Sequence, residues 1–256
     1  MYIHDINPVL LNLGPLEIRY YGLFYVVGFL ITYFMLSYLA KRKQISISRD
    51  DIADLLLYVA IGMLIGSRLF YALVYNFGYY MESPLKVFAI WEGGLSFHGA
   101  LLGIITSGYI FCKKKKFDFY TLADIIVIPA SLALMLGRIG NFINGELYGR
   151  ITNVPWAVKF PDAEGYRHPS QLYEASKNLV MFIVLYGING KNLPRGFMFW
   201  LFVTMYGSFR FLIEFFREPD PQLGYFFNYF TMGQFLTFAM FLFGSFMIYR
   251  VTRKAA

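Results

Sequence analysis

A chain of 256 residues that is 57% hydrophobic and only 15% charged is too apolar to be a soluble domain of that length. Its formal net charge of +7 lies in short connections between apolar runs, which fits the loops of a membrane protein better than a nucleic-acid-binding surface. A single cysteine, Cys112, excludes an intrachain disulfide and reads as a packing residue beside the lysines 113–116.

The N-terminal MYIHDINPVL has no basic stretch, so it is not expected to be a cleavable signal peptide. A membrane crossing needs about 20 mostly apolar residues. Seven crossings are expected, in chain order at about 20–40, 52–73, 93–112, 121–143, 172–189, 196–216 and 229–250. The fifth is the weakest, because Glu174 and Lys177 interrupt its first turns. Gly62, Gly66, Gly99 and Gly103 read as small-residue helix-packing sites. Asp124, early in the fourth run, reads as a charge at its own helix N-terminus, and Ser170 as an N-cap of the fifth. The fold class expected is an all-α polytopic membrane protein with one membrane domain over residues 1–256. The outer connection 144–171, rich in proline and aromatics, is expected to form an ordered cap.

Lysines and arginines fix the expected orientation. The connections after the first, third, fifth and seventh runs hold thirteen of them, and the opposite side holds six. The positive-inside rule then places the N-terminus outside and the C-terminus in the cytoplasm.

Polar residues fall at a common depth on this reading. His98 lies about five residues into the third run, or roughly 7–8 Å at 1.5 Å per residue. Arg68, Arg138 and Arg210 lie at a similar distance from the outer ends of the second, fourth and sixth runs, and Tyr21 opens the first. Intramembrane charges usually face a bundle interior or wet cavity and pair with one another. Glu214, four residues after Arg210 and three before Arg217, is the carboxylate expected within the layer, and Glu146 is expected to offset Arg138. The balance is positive and suits an anion such as a lipid phosphate, which arginine binds with a bidentate fork. The plainer alternatives stay open: snorkelling arginines, a helix-packing His98, and Asn141 and Asn144 as helix glue.

No phosphate-binding glycine loop, HExxH, CxxC or Gly-x-Ser-x-Gly elbow is present, and no outer cluster of aspartates could hold magnesium. What remains is an imidazole, guanidinium groups, amides and phenols. That set suits deprotonating an acid such as a thiol while a leaving phosphate is stabilised. The chain has no cysteine on the outer side, so the thiol would come from a substrate.

The segment GRIGNFINGELYG, Gly137 to Gly149, resembles the signature of the bacterial prolipoprotein diacylglyceryl transferases. RYYGLFYVVGF, GSRLFY, GGLSFHGALLG, HPSQLYE and YGSFRFLIEFFREPDPQLG resemble the same family in the same order. The resemblance implies a seven-span inner-membrane enzyme, with no metal or soluble cofactor. It would move the diacylglyceryl group of phosphatidylglycerol to the lipobox cysteine of a preprolipoprotein, releasing glycerol phosphate. It implies His98 assisting thiol deprotonation and Arg138 and Arg210 holding the phosphate. It further implies Tyr21 as a head-group donor, Asn141, Asn144, Glu146 and Gly149 as signature positions, and Glu214 and Arg217 as ordering the sixth helix. Arg68 joins this expected lipid-binding set by its depth. A transporter or flippase for an anionic lipid is the rival reading, and it would need a second, cytoplasm-facing half-site.

Overall fold

The computed structural model describes residues 1–14, 16–218 and 231–255. Within them the chain is mostly helical: α1 (Tyr20–Arg42), α2 (Arg49–Phe70), α3 (Phe77–Glu82), α4 (Phe97–Lys115), α5 (Phe119–Ile143), α6 (Ser170–Ile188), α7 (Phe197–Glu214) and α8 (Met232–Ala255). Five of these, α1, α2 with the π-helical turn Tyr71–Tyr75, α5, α7 and α8, are long and apolar enough to cross a membrane. Their outward faces carry uncovered apolar side chains, such as Leu23, Val26, Leu30 and Phe34 on α1, as a lipid-facing surface requires.

The helices match the expected runs with shifted ends. The third expected run begins four residues late, because Gly93 and Gly94 adopt positive φ and Ser96 caps α4 by accepting from the Gly99 N–H. Residues 229 and 230 of the seventh run, and 219–224 of the last family-like segment, lie outside the described residues. Four short strands depart from the all-α expectation. β1 (Tyr2–Ile3) pairs in parallel with β4 (Val158–Lys159), and β2 (Val9–Leu13) forms an antiparallel hairpin with β3 (Leu16–Arg19) just before α1. Alternation over so few residues is too short to register against the helical signal.

The chain separates into two compact units. One comprises residues 1–36 and 123–256, and the other residues 37–122. In the first, Asp124 caps a different helix from the one expected: its carboxylate accepts from the backbone N–H groups of Gly196 and Phe199 at 2.7 and 2.8 Å, at the start of α7. A negative charge there also complements the α7 dipole. Ser170 does not cap α6 with its side chain; its hydroxyl donates instead to the Leu147 carbonyl at 2.9 Å.

In the second unit, Ser48 and Asp51 form a reciprocal capping box at the start of α2. Helices α2 and α4 then touch backbone to backbone. A Cβ on Gly103 would sit 1.9 Å from the Gly62 carbonyl oxygen, and one on Gly99 2.2 Å from that of Gly66. Where lipid removes the hydrophobic drive between helices, such small-residue contact supplies the packing. It also fixes the start of α4, where His98 lies. Gly103→Val is expected to force α2 and α4 apart and lower the melting temperature in detergent markedly, while Gly108→Val, which meets open space, is expected to change it little; thermal melting of both variants checks this.

Candidate active site

The first unit gathers charges from three helices around one buried carboxylate. Glu174 on α6 accepts from Arg210 Nη1 of α7 through Oε1 at 2.6 Å. Its Oε2 lies 2.8 Å from Lys177 Nζ, one turn along α6, and 3.8 Å from Arg138 Nε of α5. Arg210 is held on its other side by Glu214, Nη2 to Oε2 at 2.7 Å. Glu214 also faces Arg217 at 3.9 Å and accepts from the Thr231 hydroxyl at 3.0 Å. The Tyr206 ring lies under the Lys177 ammonium at 3.8 Å. Removing each ion from water costs several kcal/mol, so charges this deep persist only when paired. Among the described residues, four cations share two carboxylates here, a positive excess that attracts an anion.

Sequence reasoning placed Arg138 and Arg210 in one layer, and the structure brings them to a common carboxylate. The expected Glu214 does pair with Arg210 and Arg217, but the carboxylate that Arg138 and Arg210 share is Glu174. Glu146 does not form the expected pair with Arg138; it accepts from Asn141 Nδ2 at 2.9 Å and Asn144 Nδ2 at 3.2 Å. In the sequence Glu174 closes the family-like HPSQLYE segment and, with Lys177, interrupts a weak span. The available signal was that ionisable residues inside a crossing are functional candidates by default, with a partner to be sought.

The GRIGNFINGELYG segment ends α5 and turns into the connection to α6. Gly140 lets α1 approach, since a Cβ there would lie 2.8 Å from the Tyr21 ring. The Tyr21 hydroxyl meets that of Tyr25 at 3.1 Å. Gln171 Nε2 donates to the Glu146 carbonyl at 2.6 Å. The buried Asn144 Oδ1 and Gln171 Oε1 have no hydrogen-bond partner among the described residues, which leaves two acceptors facing no donor.

Gly149 acts through its backbone. Its N–H donates to the His168 carbonyl at 2.8 Å, and Arg150 N–H donates to the Phe216 carbonyl at 2.9 Å, so this stretch bridges to the residues just beyond α7. Arg150 Nε adds a 2.7 Å bond to the Arg217 carbonyl. His168 meets the Tyr173 hydroxyl at 3.0 Å, and burial lowers its imidazole pKa. A Cβ on Gly149 would lie 2.3 Å from the Phe216 carbonyl oxygen. Gly149→Ala is therefore expected to separate the bridge that positions Arg217 and to abolish activity or folding; limited proteolysis and activity of the purified variant test this.

The second unit holds the other two expected residues. His98 Nδ1 lies 3.3 Å from the Tyr75 hydroxyl, and its ring packs near Phe70. Arg68 neither snorkels nor offers a fork to a phosphate. It is buried, and all five guanidinium donors are spent on backbone carbonyls. Nε reaches Val87 at 2.8 Å, Nη1 reaches Gly93 and Gly94, and Nη2 reaches Lys86 at 2.6 Å and Ala89 at 2.8 Å. Arg68 thus ties the 86–94 connection to α2. Arg68→Lys, with three donors in place of five, is expected to lower the melting temperature by several degrees; thermal melting of the variant tests this.

Comparison with known proteins bears on the chemistry. The family model described as prolipoprotein diacylglyceryl transferase matches residues 8–250. A phosphatidylglycerol–prolipoprotein diacylglyceryl transferase of Geobacter sulfurreducens is 50% identical, with 99% of this chain and 98% of that one covered. Proteins of the same name from Desulfotalea psychrophila and Photobacterium profundum are each 44% identical, covering 93% and 98% of this chain and 91% and 96% of their own lengths. With a match of that extent, the chain belongs to the prolipoprotein diacylglyceryl transferase family.

Proposed function

We propose that this chain transfers the sn-1,2-diacylglyceryl group of phosphatidylglycerol to the cysteine thiol of a prolipoprotein lipobox. The C–S bond of a thioether forms, the glycerol C–O bond to phosphate breaks, glycerol phosphate leaves, and the thiol proton is lost. The observation that carries this reading is the convergence of Arg138 and Arg210 on Glu174 within a cluster that keeps excess positive charge. The leaving group gains negative charge as the C–O bond breaks, and fixed guanidinium groups in a low-dielectric site stabilise that charge more than they stabilise the diester.

Arg138 and Arg210 hold the phosphate on this reading. The open acceptors Asn144 Oδ1 and Gln171 Oε1, with the Glu146 carboxylate and Tyr21 nearby, suit a head group whose glycerol hydroxyls are donors. Glu214 orients Arg210 and Arg217. His98 receives or polarises the thiol proton, with Tyr75 orienting its ring. Arg68 leaves the substrate-binding set, because its donors are taken. The chain sits in the bacterial inner membrane with seven crossings, α4 and α6 completing the five most apolar helices. The N-terminus faces outward, the C-terminus faces the cytoplasm, and the 144–171 connection caps the outer side.

The test combines purified protein in detergent micelles, phosphatidylglycerol and a short lipobox peptide. A peptide mass gain of one diacylglyceryl group with matched glycerol phosphate release, absent with a Cys→Ser peptide, is expected. Lipid binding without any mass gain would favour the transporter reading. Arg138→Lys keeps the charge and loses the fork. Losing one charge-assisted hydrogen bond, about 1.5–3 kcal/mol, is expected to cut kcat/KM roughly 10- to 100-fold; unchanged kinetics would remove the bidentate role.

A further inference from the structure

We propose that Lys177 is a positioning residue that reserves Arg138 for the substrate phosphate by occupying Glu174, an inference that rests on the reading above. Glu174 has two oxygens and three cationic suitors. Arg210 takes Oε1 at 2.6 Å. Oε2 is contested: Lys177 Nζ holds it at 2.8 Å, and Arg138 Nε stands off at 3.8 Å. A guanidinium and a carboxylate left alone at that range would close into a bidentate pair, because the fork matches the two oxygens. The ammonium beside Oε2 opposes that closure by its charge, pairing with the oxygen at 2.8 Å without a hydrogen bond and repelling Arg138.

Lys177 is itself unsuited to touch the lipid. Its side chain is 3% exposed, whereas that of Arg138 is 19% exposed, the most open of the cluster's cations. The ammonium is further fixed by the Tyr206 ring, at 3.8 Å from the centroid. Lys177 thus acts through Glu174 and not on the reacting atoms.

The consequence is a specific pattern of coupling. Lys177→Met leaves Oε2 to Arg138, which then pairs inward and presents less of its fork to phosphate. Adding Glu174→Gln removes the carboxylate that captures it. A purely structural ion pair would also lose stability when broken, so melting cannot distinguish the roles, but it would leave the phosphate affinity of the folded protein unchanged.

The experiment measures glycerol phosphate binding by titration calorimetry to the full chain in detergent micelles, with thermal melting alongside. Lys177→Met is expected to weaken binding about tenfold or more, the loss of a charge-assisted contact. Lys177→Arg, which keeps a cation on Glu174, retains wild-type affinity. The Glu174→Gln/Lys177→Met double variant binds as tightly as wild type or tighter, because Arg138 is free. Unchanged affinity in folded Lys177→Met, or equal weakening in the single and double variants, overturns the proposal. If Lys177→Met does not fold, the double variant decides: wild-type or tighter affinity supports the role, and tenfold weakening overturns it. A wild-type chain that binds no glycerol phosphate while still transferring diacylglyceryl groups removes this inference and leaves the transferase reading standing; one that neither binds nor transfers removes both.

Discussion

Glu174 is the charge on which the first unit is organised. A carboxylate that is 1% exposed on an apolar helix would be untenable alone, and it is stable because α5, α6 and α7 each bring it a cation. The dependence is mutual, since Arg210 and Lys177 are equally costly without it. Each helix is therefore fixed in rotation about its own axis, because turning any of them would strand a charge in a low-dielectric interior. Glu214 and Thr231 extend the same logic to the start of α8.

Around that centre the backbone does what side chains cannot. Gly140 admits Tyr21 to the end of α5, and Gly149 admits the backbone beyond α7, where a methyl group would collide with a carbonyl. The signature segment is thus only partly a set of ligands. Asn141 and Asn144 hold the Glu146 carboxylate, and the glycines set approach distances. In the second unit the glycine contact of α2 with α4 and the Arg68 clamp perform the corresponding work for the stretch leading to His98. A buried arginine need not be a substrate ligand: five carbonyls satisfy it as fully as a phosphate would.

Much of the helical architecture was legible. Long apolar runs dictate helices because a backbone in hydrocarbon must satisfy its own hydrogen bonds, and the expected runs coincide with α1, α2, α4, α5, α6, α7 and α8 to within a few residues at most ends. The short strands escaped notice because two to five residues carry no usable period. Depth counting put Arg138 and Arg210 in one layer, since rise per residue is fixed by helix geometry. It gave the same depth to Arg68, whose role is different, because depth says nothing about azimuth.

The sequence by itself determined that this chain is a membrane protein of many helices, and its motifs determined its family, because composition and long polar signatures survive without coordinates. Only the tertiary structure decided which charges meet. It chose Glu174 over Glu146 as the partner of Arg138, sent Asp124 to cap α7, and closed five carbonyls around Arg68. Such choices depend on how helices far apart in sequence are rotated and packed against each other. That rotation is set by the sum of close contacts and buried pairings, which no local pattern of residues records.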